Sequence, residues 1–179
     1  NKKFEIEKII SFKGIKQGIE NTNYLLRSKN KKFILTIFEK RVSQNEIPFF
    51  MKLMDQLNNS KINCPKPQKN KNGKYLVRIR KKSACIVSFL EGKDKKLLSL
   101  KNCHEIGKMI AGMHLSTKKI NLSRKNSMGI KYLNPLLNSI KFKSKKFTNI
   151  EKFLKINFKD IKMKWPKKLP NGIIHGDLF

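Results

Sequence analysis

The chain has 179 residues, 39% hydrophobic and 30% charged. That is enough to bury a core and too apolar for a disordered segment. No apolar run approaches the ~20 residues that span a bilayer. The net charge is +30, yet 37 of the 42 basic residues are lysine, and Lys, Ile and Asn together supply 76 of the 179 positions. This is the bias of an AT-rich coding sequence. The charge is spread along the chain rather than gathered in an arginine stripe, which argues against a dedicated nucleic-acid reader.

The first predicted element is a strand over residues 4–12, carrying Phe4, Ile6, Ile9, Ile10 and Phe12. A polar turn with two glycines, Gly14 to Asn23, leads into a second strand, Tyr24 to Arg27. Phe33 to Phe38 is the third, and short connections make the three an antiparallel meander. The period then becomes helical. Asn45 is a candidate cap, Pro48 is tolerated in a first turn, and Phe49, Phe50, Leu53, Met54 and Leu57 recur on one face. Cys64-Pro65-Lys66-Pro67 is extended. Asn72-Gly73 predicts a hairpin joining Pro67-Gln68 to Tyr75–Ile79. Ala84 to Leu90 is the next strand.

Glu91-Gly92-Lys93-Asp94 breaks that strand and is the natural domain boundary, dividing the chain into 1–91 and 92–179. A helix over about 100–117 has Ile106, Met109, Ile110 and Met113 on one side. Residues 121–135 read as a loop through Asn126, Gly129 and Pro135. A further helix spans about 148–163. Ile173-Ile174 then reads as a short buried strand running into His175-Gly176-Asp177-Leu178-Phe179.

Three segments carry chemistry. A buried strand that delivers His175 and Asp177 to a loop suits phosphoryl transfer to an alcohol. That reaction needs a carboxylate to orient the hydroxyl and take its proton, with positive charge and magnesium around the phosphates. Asp177 fits the first task, and His175 fits a role in pinning the loop. The turn from Gly14 to Asn23 would let backbone N–H groups approach phosphates closely, although the Walker pattern is absent and a plain hairpin explains it equally. Ser88-Phe89-Leu90, read as an edge strand at the lobe boundary, could offer backbone donors and acceptors to an adenine, or be a simple linker. Cysteines at 64, 85 and 103 form no metal spacing and no disulfide framework, which points to a reducing cytoplasm. The chain begins at Asn1 and stops directly after the His-Gly-Asp segment, and reads as a fragment open at both ends.

Ser11-Phe12-Lys13-Gly14-Ile15 and Gly18-Ile19-Glu20-Asn21-Thr22-Asn23-Tyr24 open a run of motifs that continues in order along the chain. It includes Phe33-Ile34-Leu35-Thr36 with Glu39-Lys40-Arg41, Pro48-Phe49-Phe50 with Leu53-Met54, and Cys64-Pro65 with Pro67. Ile86-Val87-Ser88-Phe89-Leu90 with Gly92 and the terminal His175-Gly176-Asp177-Leu178-Phe179 complete it. The set resembles the homoserine kinases of the aminoglycoside-phosphotransferase-like type, over roughly the first three-fifths of that family's length.

The resemblance implies an α+β, protein-kinase-like two-lobe fold: an antiparallel-sheet lobe with one helix, a hinge, and a truncated helical lobe. It implies phosphorylation of the L-homoserine hydroxyl with ATP and Mg2+, Asp177 being the catalytic-loop aspartate. Gly14, Gly18, Asn21, Thr22 and Asn23 would cover the phosphates, and Ser88, Phe89 and Leu90 would hold the adenine. Thr36 stands where related kinases carry a phosphate-pairing lysine. That cation is left unassigned, with Lys32 and Lys40 nearby and Glu46 as a candidate helix glutamate. The magnesium ligands are expected beyond Phe179. Another small-alcohol kinase, or a non-catalytic scaffold or nucleic-acid-binding protein, is the alternative.

Overall fold

A computed structural model describes residues 3–16, 20–39, 43–93, 95, 97–126, 128–140 and 148–178. Gly18, Lys40 and Arg41 lie outside the described residues. Five strands form one antiparallel sheet, β1 (Ser11–Ile15), β2 (Asn21–Arg27), β3 (Lys32–Phe38), β4 (Val77–Ile79) and β5 (Lys82–Ser88), in the order β1-β2-β3-β5-β4. The helices are α1 (Ile47–Asn59), α2 (Leu100–Thr117), α3 (Ile130–Ser139) and α4 (Thr148–Lys164). Two compact units result, Asn1–Ser123 with Gly172–Phe179, and Arg124–Asn171. Among the described residues no helix is long and apolar enough to cross a membrane.

The predicted meander is present, with a shift at its start. Residues 5–10 are not strand; Phe4 makes one bridge to Asn70, and β1 begins at Ser11 and includes Gly14. Pairing with β2 decides this, because Ser11 faces Arg27 and Ile15 faces Asn23. The turn between β2 and β3 is held from outside the sheet. Ser28 Oγ donates to Glu7 Oε2 at 2.9 Å and the Asn30 N–H to the same oxygen at 3.2 Å. These bonds, the serine's first, hold the Glu7 carboxyl below its ordinary range.

Side chains alternate across the pleat. Phe33 and Leu35 pack with Leu26, Ile86 and Phe4 on one face. Ile34 and Phe38 pack with Cys85 and Val87 on the other, beneath α1. The helix sits on that face through Ile47 and Met51, both essentially inaccessible, with Phe50 and Met54 beside them. The helical stripe thus starts at Ile47, ahead of the residues that the spacing suggested. Glu46, not Asn45, is the residue before the first turn, and it makes no side-chain cap; Pro48 does occupy the first turn.

The hairpin predicted at Asn72-Gly73 is a local loop. Gly73 has φ 71°, and Asn70 and Lys74 are bonded across it. The pairing differs from expectation: Pro67 bridges Val87, and Val77–Ile79 pairs with Lys82–Ala84 around Arg80-Lys81. Backbone groups of residues 66–68 and of β4 thus share the same side of β5.

Helix α2 matches its predicted bounds, and Ser99 caps it with Asn102 in a reciprocal box. Of its apolar face, Ile110 and Met113 are half-buried while Ile106 and Met109 are exposed. The helix approaches α1's exit closely at Gly112, where a Cβ would stand 3.4 Å from Ile62. Residues 130–139 are helical rather than loop. Gly129 precedes the first turn and Pro135 is accommodated inside it, because Leu133, Leu136 and Leu137 line an apolar hollow with Leu154, Phe158 and Ile161 of α4. Ile173-Ile174 is not a buried strand: residues 172–178 have no regular structure and Ile174 is 69% exposed. Two β-branched residues without a ladder partner have nothing to hold them extended.

Candidate functional site

The end of the sheet where β1 passes to β2 gathers the polar residues singled out in the sequence. Alternation separates them. Asn21 and Asn23 point to the α1 side with Thr36, while Thr22 points to the opposite face. Thr36 Oγ1 donates to Asn23 Oδ1 at 2.8 Å. Thr22 Oγ1 donates to Glu39 Oε1 at 2.9 Å, and the Glu39 N–H donates to Asn21 Oδ1 at 3.3 Å. Lys82 Nζ pairs with the second Glu39 oxygen. The Lys82 and Thr22 bonds hold the Glu39 carboxyl below its ordinary range. Gly14 pairs with Tyr24 in the ladder, with its missing side chain leaving ordinary contact distance, 3.9 Å, to the Tyr24 ring. Thr22 is therefore apart from Asn21 and Asn23, though adjacent in sequence.

At the other end of the site, Ser88 closes β5. This strand is not an edge, because β3 lies on one side and residues 66–68 on the other. The Ser88 N–H donates to Lys66 O at 2.9 Å, and Ser88 Oγ accepts the Lys66 N–H at 2.8 Å. The Phe89 N–H donates to Lys32 O at 3.1 Å. Two of the three amides expected to face an adenine are thus committed to the sheet. Leu90 follows, 40% exposed, and among the described residues its N–H has no hydrogen-bond partner. Lys32 clamps the exit: its Nζ lies 2.6 Å from Glu91 Oε1 and 5.4 Å from the Phe89 ring centroid.

His175, Gly176 and Asp177 form an exposed turn in the same compact unit as the sheet. Gly176 takes φ 77°, a left-handed conformation that a side chain would resist. This folds the Asp177 N–H back toward His175 Nδ1 at 3.3 Å, leaving the Asp177 carboxylate exposed.

Sequence reasoning missed Glu39, Lys82 and Glu91 as partners of the flagged residues. Glu39 follows the third strand by one residue, and its place opposite the polar start of β2 appears only once the two strands pair. Among the described residues, Lys32 pairs with Glu91 and Lys82 with Glu39. Thr36 meets a neutral amide instead of a cation. Glu46 sits at the head of α1.

The phosphotransferase enzyme family matches residues 11–179. The homoserine kinase of Parvibaculum lavamentivorans is 35% identical over 98% of this chain and 55% of its own length. That of Paramagnetospirillum magneticum is 37% identical over 98% of this chain and 54% of its own. The chain thus spans about half the length of the curated relatives it matches. A spectinomycin phosphotransferase, crystallised with ADP and spectinomycin, superposes with a TM-score of 0.61 at 13% identity, over 98% of this chain and 60% of that one. A microcompartment-associated aminopropanol kinase gives 0.57 at 16% identity, over 71% and 43%. The shared architecture is the α+β kinase fold, here a five-stranded antiparallel sheet followed by helices. With the match running from β1 to the last residue, this chain belongs to the phosphotransferase enzyme family.

Proposed function

We propose that this chain is the nucleotide-binding part of a kinase that transfers the γ-phosphate of ATP to the hydroxyl of L-homoserine, giving O-phospho-L-homoserine for threonine biosynthesis in the cytoplasm. The identity of 35–37% to homoserine kinases along 98% of the chain carries this reading. Residues 1–91 are the nucleotide-binding lobe and 92–179 the first part of a helical lobe.

The residues present fit a nucleotide. Leu90 offers an unengaged N–H to the edge of an adenine, beside Ser88 and Phe89, whose own amides hold the strand in place. Asn21 and Asn23, with Gly14 of β1 and Gly18, are the phosphate-side groups. Thr22 acts behind them through Glu39. Asp177 takes the proton of the homoserine hydroxyl as that oxygen attacks the γ-phosphorus, and the bond to the bridging oxygen of ADP breaks. His175 steadies the turn by accepting the Asp177 N–H.

Magnesium bound to the phosphates would neutralise their charge. Among the described residues no three His, Cys, Asp or Glu side chains converge to hold it.

The test is ADP release by the full-length polypeptide that carries this sequence, given Mg-ATP and a panel of L-homoserine, choline and amino sugars. Release that depends on homoserine alone is the expected result. Release with another alcohol instead moves the substrate while leaving the kinase reading in place.

A further inference from the structure

Of the three polar residues that open β2, Thr22 is held by the side chain of Glu39 and Asn21 by its backbone N–H. Glu39 uses both carboxylate oxygens and its backbone N–H. Oε1 accepts from Thr22 Oγ1 at 2.9 Å, the second oxygen pairs with Lys82 Nζ, and the N–H donates to Asn21 Oδ1 at 3.3 Å. These contacts tie the beginning of β2 to the end of β3 and the beginning of β5, three chain segments far apart in sequence. The neighbouring bond from Thr36 to Asn23 ties the next residue to β3 on the other face. Asn21, Thr22 and Asn23 are therefore each anchored, two of them through Glu39.

We propose that Glu39 is a positioning residue for nucleotide phosphate binding, holding Thr22 from the opposite face of the sheet and, through the backbone of Thr22, its neighbours Asn21 and Asn23; this rests on the nucleotide-binding reading above. A carboxylate would repel phosphate if it faced the nucleotide. Here it is turned to the far face, and Lys82 and the Thr22 hydroxyl compensate its charge. The charge requirement is thus met without a phosphate-facing anion. Two strand ends, which would otherwise fray where their ladder stops, are stapled.

The role predicts a specific split. Loss of the Thr22–Glu39 bond frees the strand between Asn21 and Asn23, which keep their own bonds to the Glu39 N–H and to Thr36, and so weakens nucleotide binding. In the full-length polypeptide, Glu39→Ala and Thr22→Val are each expected to raise the KM for ATP and the Kd for ADP about three- to tenfold, the size of one lost hydrogen bond. The KM for the alcohol substrate should stay unchanged. The double variant should be no worse than Glu39→Ala alone, since both remove the same contact. Glu39→Gln, whose amide oxygen can still accept from Thr22, should recover most of the affinity. A change in fold stability alone would lower the active fraction without moving either KM. Wild-type ADP affinity in both Glu39→Ala and Thr22→Val overturns the positioning role and leaves the nucleotide reading intact. A wild-type protein that binds no ADP overturns both.

Discussion

Thr36 on β3 donates a 2.8 Å hydrogen bond to Asn23 on β2, on the sheet face that α1 covers. The pair lies directly across the ladder, where Asn23 and Thr36 are register partners. It is a neutral contact inside the sheet. Replacing Thr36 with Val keeps the shape and removes the donor. Asn23 Oδ1 is then left without that partner in a half-buried position. The expected cost is about 1 kcal/mol, a fall in Tm of about 2–4 °C for a protein of this size. Thermal melts of the wild type and Thr36→Val measure it directly. An unchanged Tm would mean that water replaces the hydroxyl at no cost.

Asp177 is the exposed carboxylate of a turn whose geometry is set by Gly176 and His175. Asp177→Asn keeps the backbone N–H that His175 accepts, so the turn should persist. It removes the proton acceptor. In the full-length polypeptide, turnover should fall by about two to four orders of magnitude with ADP affinity nearly unchanged. Steady-state ADP release and equilibrium ADP binding, measured side by side, separate the two effects. Turnover within a few-fold of wild type would remove Asp177 from its role as base.

Much of the fold was legible because it rests on local pattern. The β-branched and aromatic run of β3, the helical spacing in α1 and the capped α2 each announce themselves within a dozen residues. What was misread depends on partners distant in sequence. Nothing near Ser88 says that residues 66–68 will occupy its flank, so it looked like an edge when its amide was already taken. Residues 5–10 carry strand-forming side chains, but only pairing makes a strand, and β2 takes Ser11–Ile15 instead. Gly129 and Pro135 signal a loop locally, and helix α3 forms around them because its leucines pack on α4. At the candidate site, the polar residue types were legible. Their division between two faces follows from a strand starting at Asn21, three residues earlier than the apolar pattern suggested.

The β4–β5 hairpin turns through two residues that the sequence gives no reason to place there. Arg80 has φ 45° and Lys81 φ 67°, the left-handed conformation that side chains disfavour and Gly or Asn accept. The turn is held by Arg78, whose Nη1 donates to Lys81 O at 2.8 Å. Lys81→Gly removes the steric cost of about 1 kcal/mol or more and adds back part of it as lost chain entropy. The net expectation is a Tm higher by about 1–3 °C, with Lys81→Val lower than wild type. Equal melting of all three would show that the turn relaxes out of the left-handed region.

The three thiols should react in an order set by burial. Cys103 is exposed on α2, Cys64 is half-buried, and Cys85 is 2% exposed beneath α1. Burial raises the Cys64 thiol above its ordinary range and pushes Cys85 up to about 12. The thiolate is the reactive form, so a raised value means less nucleophile at any pH below it. With iodoacetamide at about pH 8, near the ordinary thiol range, Cys103 should be modified first and Cys64 slowly. Cys85 should be spared until denaturant opens the sheet. Cys85 should stay unreactive, because access as well as ionisation is withheld. Peptide mass mapping over a time course reads all three at once. Modification of Cys85 in step with Cys103 under native conditions would show that α1 does not stay seated on the sheet.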